Sequence, residues 1–164
     1  MKNNTKIQKL IEPHHSIANY INNRLESLNW TVADLAVKST ISQGEISKIL
    51  TGARKGLKAD VFYKIYTAFG DSCVKASKIV YADLDLKLQK YKPKERNTFG
   101  TFMEQFETTV NSLEEISVKT GIDENRLKDL YFRKGSLEAY EMLLIEKAIG
   151  KKPGELFANL YLNS

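Results

Sequence analysis

DLAVKSTISQGEISKILTG, residues 34–52, holds two short helices and the turn between them. Leu35 and Ala36 open an apolar stripe, Ser39-Thr40-Ile41 interrupts it, and Ile46, Ile49 and Leu50 resume it at helical spacing. Ser42 followed three residues later by Glu45 is a capping-box arrangement, and Gly52 is a stop. The same writing returns as EISVKTGIDENRLKDLYFRKG, residues 115–135. A shift of 81 positions lays Leu35 on Ile116, Ala36 on Ser117, Ile41 on Ile122, Ile46 on Leu127 and Ile49 on Leu130. One residue is then lost, and a shift of 80 lays Leu57 on Leu137, Ala59 on Ala139, Phe62 on Met142, Ile65 on Ile145 and Gly70 on Gly150. Two unrelated amphipathic stretches would have no reason to keep this register, so the chain reads as an internal repeat.

Working outward, the pattern predicts an all-α fold, a tandem of two small five-helix bundles. Residues 1–15 form an N-terminal arm, or a short helix that stops before Pro13, residues 16–89 the first domain, 90–98 a charged linker and 99–164 the second domain. In the first domain Ser16 caps a helix to about Leu28, with Ile17, Ile21, Leu25 and Leu28 on one face and Asn29 as its end. Thr31 and Asp34 form a capping box for the second helix, Ser42 caps the third, and a fourth covers about residues 58–69. Asp71 or Ser72 caps a fifth that extends to Tyr91. The second domain opens with Phe99, Phe102 and Phe106 on one face; Ser112 with Glu115, Asp123 or Ile122, and Ser136 start its next helices, and Pro153 its last. No period-2 run and no hairpin dipeptide signals a strand.

A chain of 164 residues, 42% hydrophobic and 27% charged, has the composition of an ordinary soluble domain pair. No apolar run is long enough for a membrane span or a secretory signal. Cys73 is the only cysteine, which excludes an internal disulfide and fits a cytoplasmic protein. The net charge of +5 is uneven: residues 1–92 carry 15 Lys/Arg against 8 Asp/Glu, and residues 93–164 carry 10 against 12. The first half therefore suits a polyanion and the second does not. His14-His15 lacks further ligands at metal spacing and reads as a solvent pair. Cys73 has no partner base, and Glu114-Glu115 diverge by about 100° around a helix, so neither makes a catalytic pair. No enzyme, metal or cofactor is expected.

The exposed side of the third helix carries the chemistry. Gln43 can offer a bidentate amide to adenine, Lys48 can reach guanine or phosphate, and Gly44 permits close backbone approach. Ser42 and Ser47 can bond phosphates, as can the N–H groups of the helix start. Arg54, Lys55 and Lys58 follow in position to flank a duplex. On these residues, 17–80 resembles the helix-turn-helix domain of the lambda and 434 repressor, Cro and Xre family. The resemblance implies a repressor-like five-helix bundle, usually homodimeric, that binds operator DNA to regulate transcription or serves as an antitoxin. It places Gln43, Gly44 and Lys48 at base-reading positions and Ser42, Ser47, Arg54 and Lys55 on or near the DNA backbone. The family's frequent glutamine early in the second helix is absent, since Val32-Ala33 stand there.

Residues 99–160 resemble the same family more loosely, through KTGIDENRLKDLY and AIGKKPGELF. Here the helix opening is Asp123, Glu124, Asn125, whose carboxylates suit the helix dipole and repel phosphate. Arg126, Lys128, Arg133 and Lys134 are the positive groups of that surface. The expectation is a degenerate second unit used for packing, dimerisation or a protein partner. The expected partners are double-stranded DNA and a second copy in a homodimer, with an internal pseudo-dimer as the competing arrangement. A helical protein-interaction module, or an antitoxin-type adaptor with little DNA binding of its own, is the alternative function.

Overall fold

The computed structural model describes residues 10–93, 95, 98–103, 112–132 and 135–162. Among them it is all-helical: α1 (Ile17–Leu28), α2 (Val32–Ser39), α3 (Gln43–Leu50), α4 (Ala59–Ala68), α5 (Cys73–Val80), α6 (Thr98–Met103), α7 (Leu113–Thr120), α8 (Glu124–Phe132), α9 (Ala139–Ala148) and α10 (Glu155–Tyr161). The described residues form no strand beyond one isolated antiparallel bridge between Lys58 and Glu138.

Local chemistry accounts for most of the helix ends. The Thr31 hydroxyl accepts from the Asp34 N–H at 3.2 Å, and Asp34 Oδ2 accepts from the Thr31 N–H at 2.8 Å, a complete capping box. Ser72 and Ser112 accept from the backbone N–H of Lys75 and Glu115 at 3.1 Å. Asn29 and Thr40 take left-handed backbone angles, φ 55° and 64°, and so turn the chain out of α1 and α2.

Several expected boundaries move. Ser16 precedes α1 but makes no side-chain cap; its N–H donates to the Val80 carbonyl at 2.7 Å instead. The cap of α9 is Glu138 rather than Ser136, because Glu141 at the third helical position accepts from the Glu138 N–H at 3.0 Å. The last helix starts at Glu155 behind Gly154, not at Pro153. Gly154 has φ 89°, and a Cβ there would lie 2.7 Å from that of Cys73, so both the backbone angle and the close approach require glycine. Helix α5 stops at Val80, well short of Tyr91. The stretch after it, ADLDLKL, alternates strictly, and Leu84 and Leu86 pack on the core while Asp85 and Lys87 are exposed. This is a period-2 signal that the sequence reading missed. Phe99 and Phe102 share a face of α6 as expected, their rings 6.5 Å apart, yet both are mostly exposed. Phe106 lies outside the described residues.

Two compact units emerge, and they cut across the repeat copies. One comprises Glu12–Leu86 and Ser136–Ser164; the other takes in the described residues of Met1–Ile11 and Lys87–Gly135. In the first, Ile21, Leu35, Ile46, Phe62 and Ile65 share one core with Ala139, Met142, Leu143 and Phe157. The contact between α4 and α9 has the register of the repeat. The Ala59 N–H donates to the Leu137 carbonyl and the Ala139 N–H to the Leu57 carbonyl, both at 2.8 Å. Each alanine thus meets the counterpart of the residue two places before it, the reciprocity of a two-fold interface between identical partners. Ala59 and Ala139 are fully buried there, and their small side chains let the two helix starts approach. In the second unit α7 packs on α8, and Gly121 ends α7 at φ 79°.

A buried ionic network joins α1 to the α4–α5 corner. Asp71, its side chain only 4% exposed, accepts from the Tyr20 hydroxyl at 2.6 Å and pairs with Arg24 and Lys75 at 2.9 Å. Burial opposes its charge, but the Tyr20 hydrogen bond and the two cations outweigh it and hold the carboxyl below the usual aspartate range. A carboxyl lowered on folding stabilises the native state above the ordinary aspartate pKa of about 4, and loses that contribution as pH falls through its native value. Asp71→Asn should therefore cost about 3 kcal/mol near neutral pH, leaving Arg24 partly buried without its partner. The gap between variant and parent in thermal melts should narrow steadily below pH 4.

Candidate nucleic-acid interface

Helix α3 is held on one side and open on the other. Ile46 and Ile49 are buried, and α3 packs against α1 and α2. The turn leading into it is fixed by the Ser39 hydroxyl, which accepts from the Ile41 N–H at 3.2 Å, and by burial of Ile41. Ser42 caps the helix by accepting from the Glu45 N–H at 3.2 Å. The reciprocal half of the expected box is absent, because Glu45 turns to cations instead. Gln43, Gly44, Ser47 and Lys48 are all exposed. Their spacing places them on one face, over the turn where backbone N–H groups precede the first intrahelical bonds. Among the described residues beyond its own helical turn, nothing comes within 4 Å of where a Gly44 Cβ would stand, so packing does not demand glycine at that position.

The loop after α3 adds Arg54 and Lys55, with Lys58 at the cap of α4, all exposed. Arg54 Nη2 pairs with Glu45 Oε1 at 2.7 Å, and Lys48 Nζ lies 3.8 Å from the same oxygen. One carboxylate thus shares the two expected DNA-facing cations. Two residues that the sequence reading left out hold this loop. His15 Nε2 meets the Lys55 carbonyl at 2.6 Å, while its ring stands edge-on to Tyr81 at 6.3 Å. Glu138 Oε2 accepts from the Leu57 N–H at 2.9 Å, and a Cβ on Gly56 would come within 3.0 Å of that carboxylate. A side chain at residue 56 would require that carboxylate to give by a few tenths of an ångström. His15 is thus a loop anchor and not a solvent residue like its neighbour in sequence, and nothing local to position 138 marks Glu138; the 80-residue shift, which lays Lys58 on Glu138, is the one signal the sequence holds for it. The resulting cleft of about 290 Å³ mixes Arg54, Lys55 and Lys58 with Glu45, Asp60 and Glu138.

In the other unit Asp123 Oδ1 accepts from the Asn125 N–H at 2.9 Å, and Glu124 pairs with Lys128 at 3.6 Å. Asp123, Glu124, Asn125 and Lys128 are exposed and Arg126 is half-buried; Arg133 and Lys134 lie outside the described residues. The acids at this helix start are engaged locally, one with a backbone N–H and one with the neighbouring lysine.

Cys73 is buried, and burial, with the nearby Glu146, pushes its thiol up to about 12, so it stays protonated and packs. Among the described residues no three His, Cys, Asp or Glu side chains are grouped as metal ligands would be, and no helix is long and apolar enough to cross a membrane. The chain matches no family model, no curated protein and no solved structure. If this face meets phosphate, Glu45→Ala should strengthen binding to random duplex by up to about fivefold, the scale of roughly 1 kcal/mol for an exposed ion pair. It should also steepen the salt dependence, since Arg54 and Lys48 are released. Unchanged affinity in a filter-binding titration would show that the face does not approach the backbone.

Proposed function

We propose that the chain is a sequence-specific double-stranded DNA-binding regulator of transcription that reads the major groove with α3. One observation carries this reading. Gln43, Gly44, Ser47 and Lys48 share the open face of a helix whose other face is locked into a core, with Arg54, Lys55 and Lys58 beside it. A donor-rich helix start with flanking cations is the arrangement that positions a helix on phosphates while its side chains meet base edges. The resemblance of residues 17–80 to the lambda and 434 repressor, Cro and Xre family supports the same role. Gln43, Gly44 and Lys48 then touch bases, and Ser42, Ser47, Arg54, Lys55 and Lys58 touch the backbone. Duplex selection from random sequence should return a defined site. On it Gln43→Ala or Lys48→Ala costs about 1–3 kcal/mol, whereas Arg54→Ala and Lys55→Ala weaken all sequences alike and flatten the salt slope. Fluorescence anisotropy on cognate and scrambled duplexes checks both; four variants indistinguishable from the parent would remove this face from consideration.

The pairing of Leu57–Ala59 with Leu137–Ala139 favours an internal pseudo-dimer over a homodimer, because the second copy already covers the start of α4. Sedimentation at micromolar concentration should give a one-chain mass without DNA. A two-chain mass that persists on dilution would restore the homodimer. A protein-interaction role for residues 99–164 has its own support in Tyr131 and Phe132, 55% and 77% exposed at the end of α8. Failure of every duplex to bind, together with capture of a protein through those rings, would make that the better reading.

A further inference from the structure

The shift of 80 that relates α4 to α9 also relates α5 to α10, and the two sides of this arrangement are filled differently. On one side α10 lies against α4. Phe157 is fully buried, its ring 5.7 Å from that of Phe62 and 6.2 Å from that of Tyr66, and Tyr161 stacks near Tyr63 at 5.8 Å. The counterparts of Phe157, Tyr63 and Tyr66 are Ser77, Leu143 and Glu146. Where the first side has an interlocked set of rings, the second has a cavity of about 300 Å³ between α5 and α9. Buried Leu143 and Glu146 form its floor, and Val74, Leu86 and Pro153 its apolar walls. Ser77, whose hydroxyl donates to the Val74 carbonyl at 3.1 Å, replaces the phenyl group.

The volume suits a ligand. Apolar cavities of roughly 150 Å³ accept benzene, and small-molecule sites begin at about 300 Å³. The polar groups set its charge. Glu146 has no spare role there, because its two oxygens accept from the Gly154 and Leu156 N–H groups at 2.9 and 3.2 Å. Lys147 donates to the Leu86 carbonyl. Lys78 and Lys151 are exposed at the mouth, and Lys151 has only a 3.8 Å contact to Glu155. We propose that this cavity binds a small aromatic carboxylic acid, the ring occupying the place that Phe157 fills on the other side and the carboxylate facing Lys78 and Lys151. The site is separate from the α3 face, and its test does not depend on DNA binding.

The full chain is titrated with 3-phenylpropionate and followed by amide shifts in two-dimensional NMR. Saturable shifts confined to residues 74–86 and 143–153 are expected. Ser77→Phe supplies the missing ring from the protein itself; it should abolish the shifts while keeping the helical spectrum and a melting temperature no lower than the parent's. Lys78→Glu, an exposed change that leaves the core alone, should weaken the acid by about tenfold and leave 3-phenylpropanamide unaffected. This variant decides the matter if Ser77→Phe does not fold. No saturation, a Ser77→Phe protein that binds like the parent, or an amide that binds as tightly as the acid would each overturn the proposal.

Discussion

Two backbone hydrogen bonds, Ala59 to Leu137 and Ala139 to Leu57, organise the larger unit of this protein. They are few, and their net worth is modest. Their consequence is geometric: they bring the starts of α4 and α9 together at paired alanines, and a common core of Phe62, Ile65, Met142, Leu143 and Phe157 closes behind them. Small helical domains bury too little apolar surface to be comfortably stable alone. Sharing a core across copies offsets that shortage. It also means that cutting the chain between the copies would strip α4 of Ala139, Met142 and Phe157.

The same junction bears on the candidate interface. Glu138, which stands opposite Lys58 between the two bonds, places its carboxylate beside Gly56 and accepts from the Leu57 N–H. The basic loop is therefore seated by a residue of the second copy and by His15 from the segment before α1, rather than by its own sequence. With Glu45 gathering Arg54 and Lys48, the face is a balanced ionic surface more than a uniformly positive one. Such a surface attracts polyanions less indiscriminately than a uniformly positive one would.

Departures from repeat symmetry concentrate on the helices outside this junction. Tyr66 and Glu146 occupy equivalent places, yet Tyr66 packs its ring against Phe157, while the buried Glu146 carboxyl accepts from the Gly154 and Leu156 N–H groups at the start of α10. Burial pushes the Glu146 carboxyl up, and the two N–H groups work against that rise. A helix N-terminus is a fitting partner for a buried carboxylate, and this pairing fixes α10 where Phe157 can reach α4. The cavity beside α5 is the complement of that asymmetry.

The amino-acid sequence by itself determined the helices, their all-α class and the exposed side of α3. These follow from interactions within four residues: the Thr31–Asp34 box, the Ser42, Ser72 and Ser112 caps, and apolar spacing such as Ile46 with Ile49. It also carried signals that went unread, as in the alternation of ADLDLKL. Where local signals competed, their ranking was not evident from the sequence: α9 starts behind Glu138, whose N–H donates to Glu141, rather than Ser136, and α10 behind Gly154, close against Cys73, rather than at Pro153. The course of the compact units, the shared core, and the arrival of His15 and Glu138 at the basic loop were decided by tertiary structure alone. Helical periodicity states which face of an element is buried; it carries no information about which distant face will cover it.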